Sequence, residues 1–383
     1  MPYTLLTPKR TVVGEGALEA AEKDFAALGK MALIVTGNIV RKGEAFRRLT
    51  VLLEKIGVGY AVFSDIPSEP DDAMVAAGVA AYTEAACDCL IGVGGGSPLD
   101  CAKAIAIGVA LPGSVCAQAG KEIAAALPPF ALIPTTAGTG SEATKFTVIT
   151  DSVGGAKLLL KGDVLLPSLA VVDYTFTLST PPTLTAATGM DALTHAVEAY
   201  TSKKATPMSD LFVTDAARRI LQSLPVAYKE GENREARESM AIAAYEAGVG
   251  ISNASVTLVH GMSRPIGAKF HVPHGLSNAM LLAPCLRFAS GLKPERYAAL
   301  ARGIGIVNPE TDDVPAAEAL MQKLEEITVA LEIPTLAAYG VPKDEFLQAI
   351  PQMAKEALQS GSPGNTLCEV TEQDIITLYT SLY

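Results

Sequence analysis

The sequence predicts a chain in two parts: an α/β half built on a parallel sheet, then a half that is all helix. Two patterns predict it. Up to Pro134, short apolar runs alternate with segments of helical spacing, the rhythm of a parallel sheet covered on both faces. From Thr183 onward nearly every segment repeats its apolar residues with a helical period. The length agrees, since 383 residues suit two or three domains of ~150 residues each.

Taken in order, Lys30–Thr36 (KMALIVT) reads as the first strand. Lys42–Ile56 follows as a helix, with Phe46, Leu49, Leu52, Leu53 and Ile56 on one stripe. Tyr60–Phe63 is a strand, Asp71–Ala86 an alanine-rich helix, Asp88–Val93 a strand, Ser97–Ile107 a helix and Phe130–Ile133 a strand. Lys145–Thr150 and Ala156–Lys161 read as strands joined through Asp151–Gly155, which has hairpin turn chemistry, and Leu169–Asp173 is one more strand. Helices are expected at Thr185–Tyr200, Ser209–Leu221, Arg234–Ser252, Pro294–Arg302, Val314–Leu331, Lys343–Glu356 and Thr371–Thr380. The boundary falls near Thr180–Pro182, giving domains of residues 1–181 and 182–383.

Composition narrows the function. A 49% hydrophobic chain can build a sizeable core, so wholesale disorder is excluded. With 30 basic and 41 acidic residues and no Lys/Arg cluster, nucleic acid is not an expected partner. No apolar run reaches ~18 residues, so no membrane span is expected. The start, MPYTLLTPKR, lacks the pattern of a signal peptide, and six cysteines are ordinary for a reducing compartment. A cytoplasmic location is therefore expected. Cys87 and Cys89 read as packed thiols, because a metal knuckle would need a second pair nearby.

Two loops suit phosphate. Gly94-Gly95-Gly96-Ser97 follows a strand and opens a helix, so glycine backbone can approach a ligand while the helix N-terminus offers N–H groups. The spacing is not the G-x-G-x-x-G dinucleotide fingerprint, so no particular nucleotide follows, and a plain strand-to-helix turn stays open. Pro134-Thr135-Thr136-Ala137-Gly138-Thr139-Gly140-Ser141-Glu142 crowds hydroxyls after a strand, either for a ligand or to cap a helix. Gly14-Glu15-Gly16 reads as a turn.

The four histidines, His195, His260, His271 and His274, share one 80-residue window. Asp191 and His195 are four apart, which on a helix puts carboxylate and imidazole on one face. One Asp with three or four His suits a divalent metal, with imidazole favouring Fe, Zn, Co or Ni. No cysteine lies close by in sequence, against a thiolate zinc site. Glu198, on the same side of the helix, reads as a partner to the ligands or to the helix and not as a ligand.

Taken together, Gly94–Lys103, Thr135–Glu142, Gly189–Tyr200 (GMDALTHAVEAY) and Phe270–Gly275 (FHVPHG) resemble the iron-containing (group III) alcohol dehydrogenases, in the family's order and over essentially the whole chain. The resemblance implies a Rossmann-like nucleotide-binding domain, an all-α metal-binding domain and a cleft between them, the fold shared with dehydroquinate synthase. It implies that Asp191, His195, His260 and His274 hold one divalent metal, Fe2+ or sometimes Zn2+, and that His271 is a non-ligand proton relay. Gly95, Gly96, Ser97 and Asp100 would line the pyrophosphate, and Thr135, Thr136, Thr139, Thr144, Lys157 and Leu178 the rest of the cofactor.

Three positions depart from the family. Gly37 and Asn38 stand where many members carry Asp, whose charge repels a 2′-phosphate, so both NAD and NADP are candidate cofactors. Arg264 replaces a further His of several members and is a candidate for an anionic substrate group. Asn365-Thr366-Leu367 replaces Asn-Pro-Arg. The expected function is NAD(P)-dependent interconversion of a small alcohol and its aldehyde or ketone, in a homo-oligomer as the family often forms. The rivals are a dehydroquinate synthase-like lyase, a metal hydrolase and a non-catalytic nucleotide-binding protein.

Overall fold

The computed structural model describes residues 2–67 and 69–383. They divide into two compact units, one spanning Leu6–Thr180 and the other Pro181–Tyr383 together with the residues before Leu6.

The first unit is α/β. Its elements run β1 (Thr11–Val13), α1 (Ala17–Ala20), α2 (Glu22–Leu28), β2 (Met31–Thr36), α3 (Glu44–Ile56), β3 (Gly59–Phe63), α4 (Asp72–Glu84), β4 (Cys89–Gly94), α5 (Gly96–Ala110), β5 (Phe130–Pro134), β6 (Phe146–Thr150), β7 (Lys157–Lys161) and β8 (Leu169–Val172). Six strands form one sheet, ordered β1-β8-β5-β4-β2-β3 and parallel at every pairing; β6 and β7 form a separate antiparallel hairpin. The near-continuous apolar strands have the expected cause. Along β2, Ala32 and Ile34 enter one core while Leu33 and Val35 enter the other, so both sheet faces are covered. Cys87 and Cys89 are both buried free thiols. The sequence reading missed β1, α1 and α2. These are 3, 4 and 7 residues long, too short to establish a period, and they are held by packing of Leu18 and Phe25 into the core.

The second unit is helical: α6 (Pro182–Tyr200), α7 (Pro207–Lys229), α8 (Arg234–Ala254), α9 (Leu258–Phe270), α10 (His274–Leu292), α11 (Pro294–Gly303), α12 (Asp313–Ala330), α13 (Leu336–Tyr339), α14 (Lys343–Gln359) and α15 (Glu372–Thr380). Local signals set several ends. Pro182 occupies the first turn of α6, where its missing N–H is harmless, so the helix starts earlier than its apolar spacing indicates. Thr206 and Ser209 form a capping box on α7, and that helix continues through Pro225 to Lys229, beyond the expected Leu221. Close packing fixes the glycine of the GMDALTH segment, because a Cβ on Gly189 would lie 2.3 Å from Leu224 of α7. Among the described residues, no helix is long and apolar enough to cross a membrane.

Candidate metal centre and nucleotide loops

Three helices of the second unit bring the metal candidates together. Helix α6 carries Asp191, His195 and Glu198 at i, i+4 and i+7, on one face. Helix α9 supplies His260 from its first turn, and α10 begins with His274. Gly275 explains how α10 reaches the site: a Cβ there would stand 2.4 Å from the Ala187 carbonyl and 3.2 Å from Asp191 Cβ, so only glycine allows this approach to α6.

The donors converge. Asp191 Oδ1 lies 3.9 Å from Nε2 of His195, 3.8 Å from Nε2 of His260 and 3.7 Å from Nε2 of His274. These separations are slightly wider than the ~3.4 Å edge of a tetrahedron with ~2.1 Å arms. Ligand atoms of Asp191, His195 and His260 all lie within 4.8 Å of one another, so these three can share one small cation, and His274 approaches from the Asp191 side at 3.7 Å. The His195 and His260 rings stack at 4.7 Å. Burial works against the charge of Asp191, but the neighbouring His195, His274 and His260 and a bond from Asn278 outweigh it and hold the carboxyl below its usual value. Burial, reinforced by the other histidines, pushes the His260 pKa well below 6.5, so this ring is neutral and carries a lone pair at neutral pH.

Glu198 decides which lone pair. It is fully buried, and its Oε2 lies 2.5 Å from His260 Nδ1. Its Oε1 accepts from Thr257 Oγ1 at 2.6 Å and from the Val259 N–H at 2.7 Å. The Val259 donor is one of the N–H groups that a helix start leaves without an internal partner, so Glu198 also caps α9. With Nδ1 donating to this carboxylate, Nε2 keeps its lone pair and faces Asp191, the usual arrangement of carboxylate, imidazole and metal. Desolvation raises the Glu198 pKa, opposed by the bonds from Thr257 and Val259 and by nearby His195.

Sequence reasoning missed Asn278. Its Nδ2 donates to Asp191 Oδ1 at 2.7 Å and lies 3.1 and 3.2 Å from Nε2 of His260 and His274. The signal was available, because Asn278 follows His274 by four residues, the same spacing as Asp191 and His195. Among the described residues, Asn278 Oδ1 and His195 Nδ1 are buried without a hydrogen-bond partner. One buried carboxylate facing three imidazole nitrogens is a donor set that suits a divalent cation.

Not every histidine joins. His271 caps the C-terminus of α9 in a left-handed conformation (φ 54°), exposed, with no hydrogen bond or ring contact to the four donors. Arg264 lies one turn beyond His260 on α9 and donates to Ser362 Oγ at 3.1 Å.

In the α/β unit, the two loops that suit phosphate lie side by side at the carboxyl ends of the paired strands β4 and β5. The Thr135 N–H donates to Gly94 O at 2.8 Å. A Cβ on Gly96 would lie 2.8 Å from Thr139, and one on Gly95 3.6 Å from Thr136. Bare backbone at the start of α5 thus forms a cradle with the threonine loop, and partly exposed Ser97, Thr135, Thr136 and Thr139 flank it. Gly37 and Asn38 follow β2 at the same end of the sheet, with no carboxylate at either position.

Other cofactor candidates are engaged with the protein. Asp100 accepts from Ser141 Oγ at 2.6 Å and from the Val148 N–H at 3.0 Å. Thr144 is buried, and its Oγ1 accepts from Lys103 Nζ at 3.0 Å. Lys157 pairs with Glu69 at 2.7 Å, and Leu178 ends a short 3-10 turn, half-buried.

Comparison with known proteins settles the family. The family model "Iron-containing alcohol dehydrogenase" matches residues 8–174, and that of the Fe-containing alcohol dehydrogenase family, C-terminal, matches residues 185–383. The chain belongs to the iron-containing alcohol dehydrogenase family. It is 35% identical over 382 residues to the 1,3-propanediol dehydrogenase of Klebsiella pneumoniae, covering 98% of each chain. It is also 35% identical over 371 residues to the NAD-dependent methanol dehydrogenase of Bacillus methanolicus, covering 96% of each. A crystal structure of 1,3-propanediol oxidoreductase matches with a TM-score of 0.96 at 34% identity over 100% of both chains. The α/β and helical units are those of this family, its activity class is alcohol–aldehyde oxidoreduction, and metal and NAD binding are family features.

Proposed function

We propose that the chain interconverts a small alcohol and its aldehyde or ketone by hydride transfer with NAD or NADP, using one divalent cation held by Asp191, His195, His260 and His274. Fe2+ is the first expectation and Zn2+ the second. The observation that carries the reading is the convergence of three Nε2 atoms on Asp191 Oδ1, with Glu198 fixing the orientation of His260.

A cation so held would supply a Lewis acid for the substrate oxygen, favouring the alkoxide of an alcohol or polarising a carbonyl. The chain's own residues do the rest. Asp191 contributes the one carboxylate among the four donors, and neutral His260 offers a lone pair without a competing proton. Gly95, Gly96 and Ser97 present helix-start N–H groups to a pyrophosphate, and Thr135, Thr136 and Thr139 offer hydroxyls beside it. The His271 side chain is exposed to solvent, which supports a relay role. Gly37 and Asn38 leave no charge to repel a 2′-phosphate, which supports use of NADP beside NAD. Six free cysteines agree with a reducing cytoplasm, and a homo-oligomer is the expected assembly.

The test follows absorbance at 340 nm. Metal-loaded protein mixed with NADH or NADPH and short aldehydes should consume the reduced cofactor. Binding of nucleotide without turnover of any alcohol or aldehyde would reject the reading. Gly37→Asp should shift the ratio of NADP to NAD efficiency toward NAD by about tenfold or more. An unchanged ratio would reject the role given to that turn.

A further inference from the structure

Beside the metal ligands the helical unit holds a cation that its own carboxylates leave without an ion pair. Arg264 follows His260 by four residues on α9, so the two side chains leave the same face about 6 Å apart along the axis. Its guanidinium donates from Nη1 to Ser362 Oγ at 3.1 Å, and among the described residues it forms no ion pair. Other arginines of this unit do: Arg287 with Glu318 and Glu325, Arg296 with Asp210, and Arg302 with Asp313. Glu198 attracts Arg264 without bonding to it, because that carboxylate already accepts from His260, Thr257 and Val259. Loss of water holds the Arg264 pKa below its usual value, yet part of the side chain remains open.

A guanidinium has five N–H donors in a planar fork that matches an oxyanion, and the bond to Ser362 uses only one. A desolvated cation with no direct ion pair is unfavourable, so a small anion seated on that fork would satisfy both its charge and its spare donors. We propose that Arg264 receives the anionic end of the substrate, making the preferred substrate a short aldehyde, or the matching alcohol, that bears a carboxylate or sulfonate. A fork one helical turn from a metal-ligand candidate suits a short substrate. The inference rests on the oxidoreductase reading above. The balanced step is aldehyde, reduced nicotinamide and a proton giving alcohol and oxidised nicotinamide. The distal anion keeps its charge throughout and serves only in binding.

The experiment compares kcat/KM for 4-oxobutanoate and 3-sulfopropanal with that for butanal, in the wild-type enzyme, Arg264→Gln and Arg264→Lys. Wild type should prefer at least one anionic aldehyde over butanal by tenfold or more. Arg264→Gln should lower that preference at least tenfold, with Arg264→Lys in between because it keeps the charge and loses the fork. Lysine also carries the test if the glutamine variant does not fold. Calorimetric titration of 4-hydroxybutanoate into the metal-loaded protein supplies a readout separate from turnover, and its Kd should weaken in the same order. Equal use of butanal, with a preference unmoved by either variant, would overturn the assignment and leave the oxidoreductase reading standing. Failure of the metal-loaded wild type to turn over any aldehyde or alcohol would overturn both.

Discussion

Two polar clusters in this chain teach opposite lessons. In the α/β unit, Lys103 is fully buried, and its Nζ donates to Thr144 O at 2.7 Å, Thr144 Oγ1 at 3.0 Å and Phe146 O at 2.8 Å. Asp100 is similarly engaged by Ser141 and Val148. All three ammonium protons of Lys103 have acceptors, so the cation at the centre is satisfied by the protein and ties α5 to the segment running into β6. In the helical unit the polar atoms do not close. Three imidazole Nε2 atoms converge on one carboxylate oxygen, and the bond from Glu198 orients His260 without using its Nε2. Burial of charge is common to both. Satisfaction separates scaffold from site.

The largest effect should come from His260→Ala. Removing one of four donors should lower bound metal well below one per chain and cut activity by about a thousandfold or more, read by elemental analysis beside the 340 nm assay. Full metal and full activity would show that His260 is not a ligand. Lys103→Met should act in the other sense. It leaves Asp100 and two backbone carbonyls without their buried cation, so denaturant unfolding should lose about 3 kcal/mol or more. The folded fraction should still hold its metal, and a loss of metal without a loss of stability would place Lys103 with the metal site and not with the scaffold.

Next in size is Glu198→Gln, which keeps the shape but removes the charge behind His260. Metal affinity, measured by competition with a chelator, should fall about 10- to 100-fold, and the visible spectrum of the Co2+-substituted protein should change as the ring reorients. The smallest effect concerns pH. Burial raises the Glu142 pKa from 4.5 to about 7, with its own backbone bond and Lys103 opposing the rise. Between those values the folded chain keeps a proton that the unfolded chain has released, so Glu142 makes stability fall as pH rises from about 4.5 to about 7. Glu142→Gln should flatten that slope in Tm measured across the window, and an unchanged slope would assign it to other groups.

Much of this architecture is legible in the residues. The strands β2 to β5 could be read because parallel strands buried on both faces need unbroken apolar runs, and α3 because its stripe is one-sided. The Asp191–His195 pair could be read because helical spacing puts the two on one face. Other features were hidden for physical reasons. Strand β1 has three residues and exists through its pairing with β8, a contact more than 150 positions away in sequence. Asn278 is a neutral amide in an apolar helix; its spacing puts it on the His274 face, but only the packing of α10 on α6 brings that face to Asp191. Lys103 looks like an exposed charge at the end of a glycine-rich motif, yet its acceptors come from residues about 40 positions later. Spacing reports which residues share a face, while long-range packing decides what that face meets.

The central claim is that Asp191, His195, His260 and His274 share one cation. A crystal of the metal-loaded protein, with anomalous diffraction collected at the absorption edge of the bound metal, tests it most directly. The account predicts one strong peak about 2.0–2.3 Å from an Asp191 carboxylate oxygen and from Nε2 of all three histidines, with Glu198 still on His260 Nδ1. A peak at other side chains, or one bonded to fewer than three of these four residues, would contradict it.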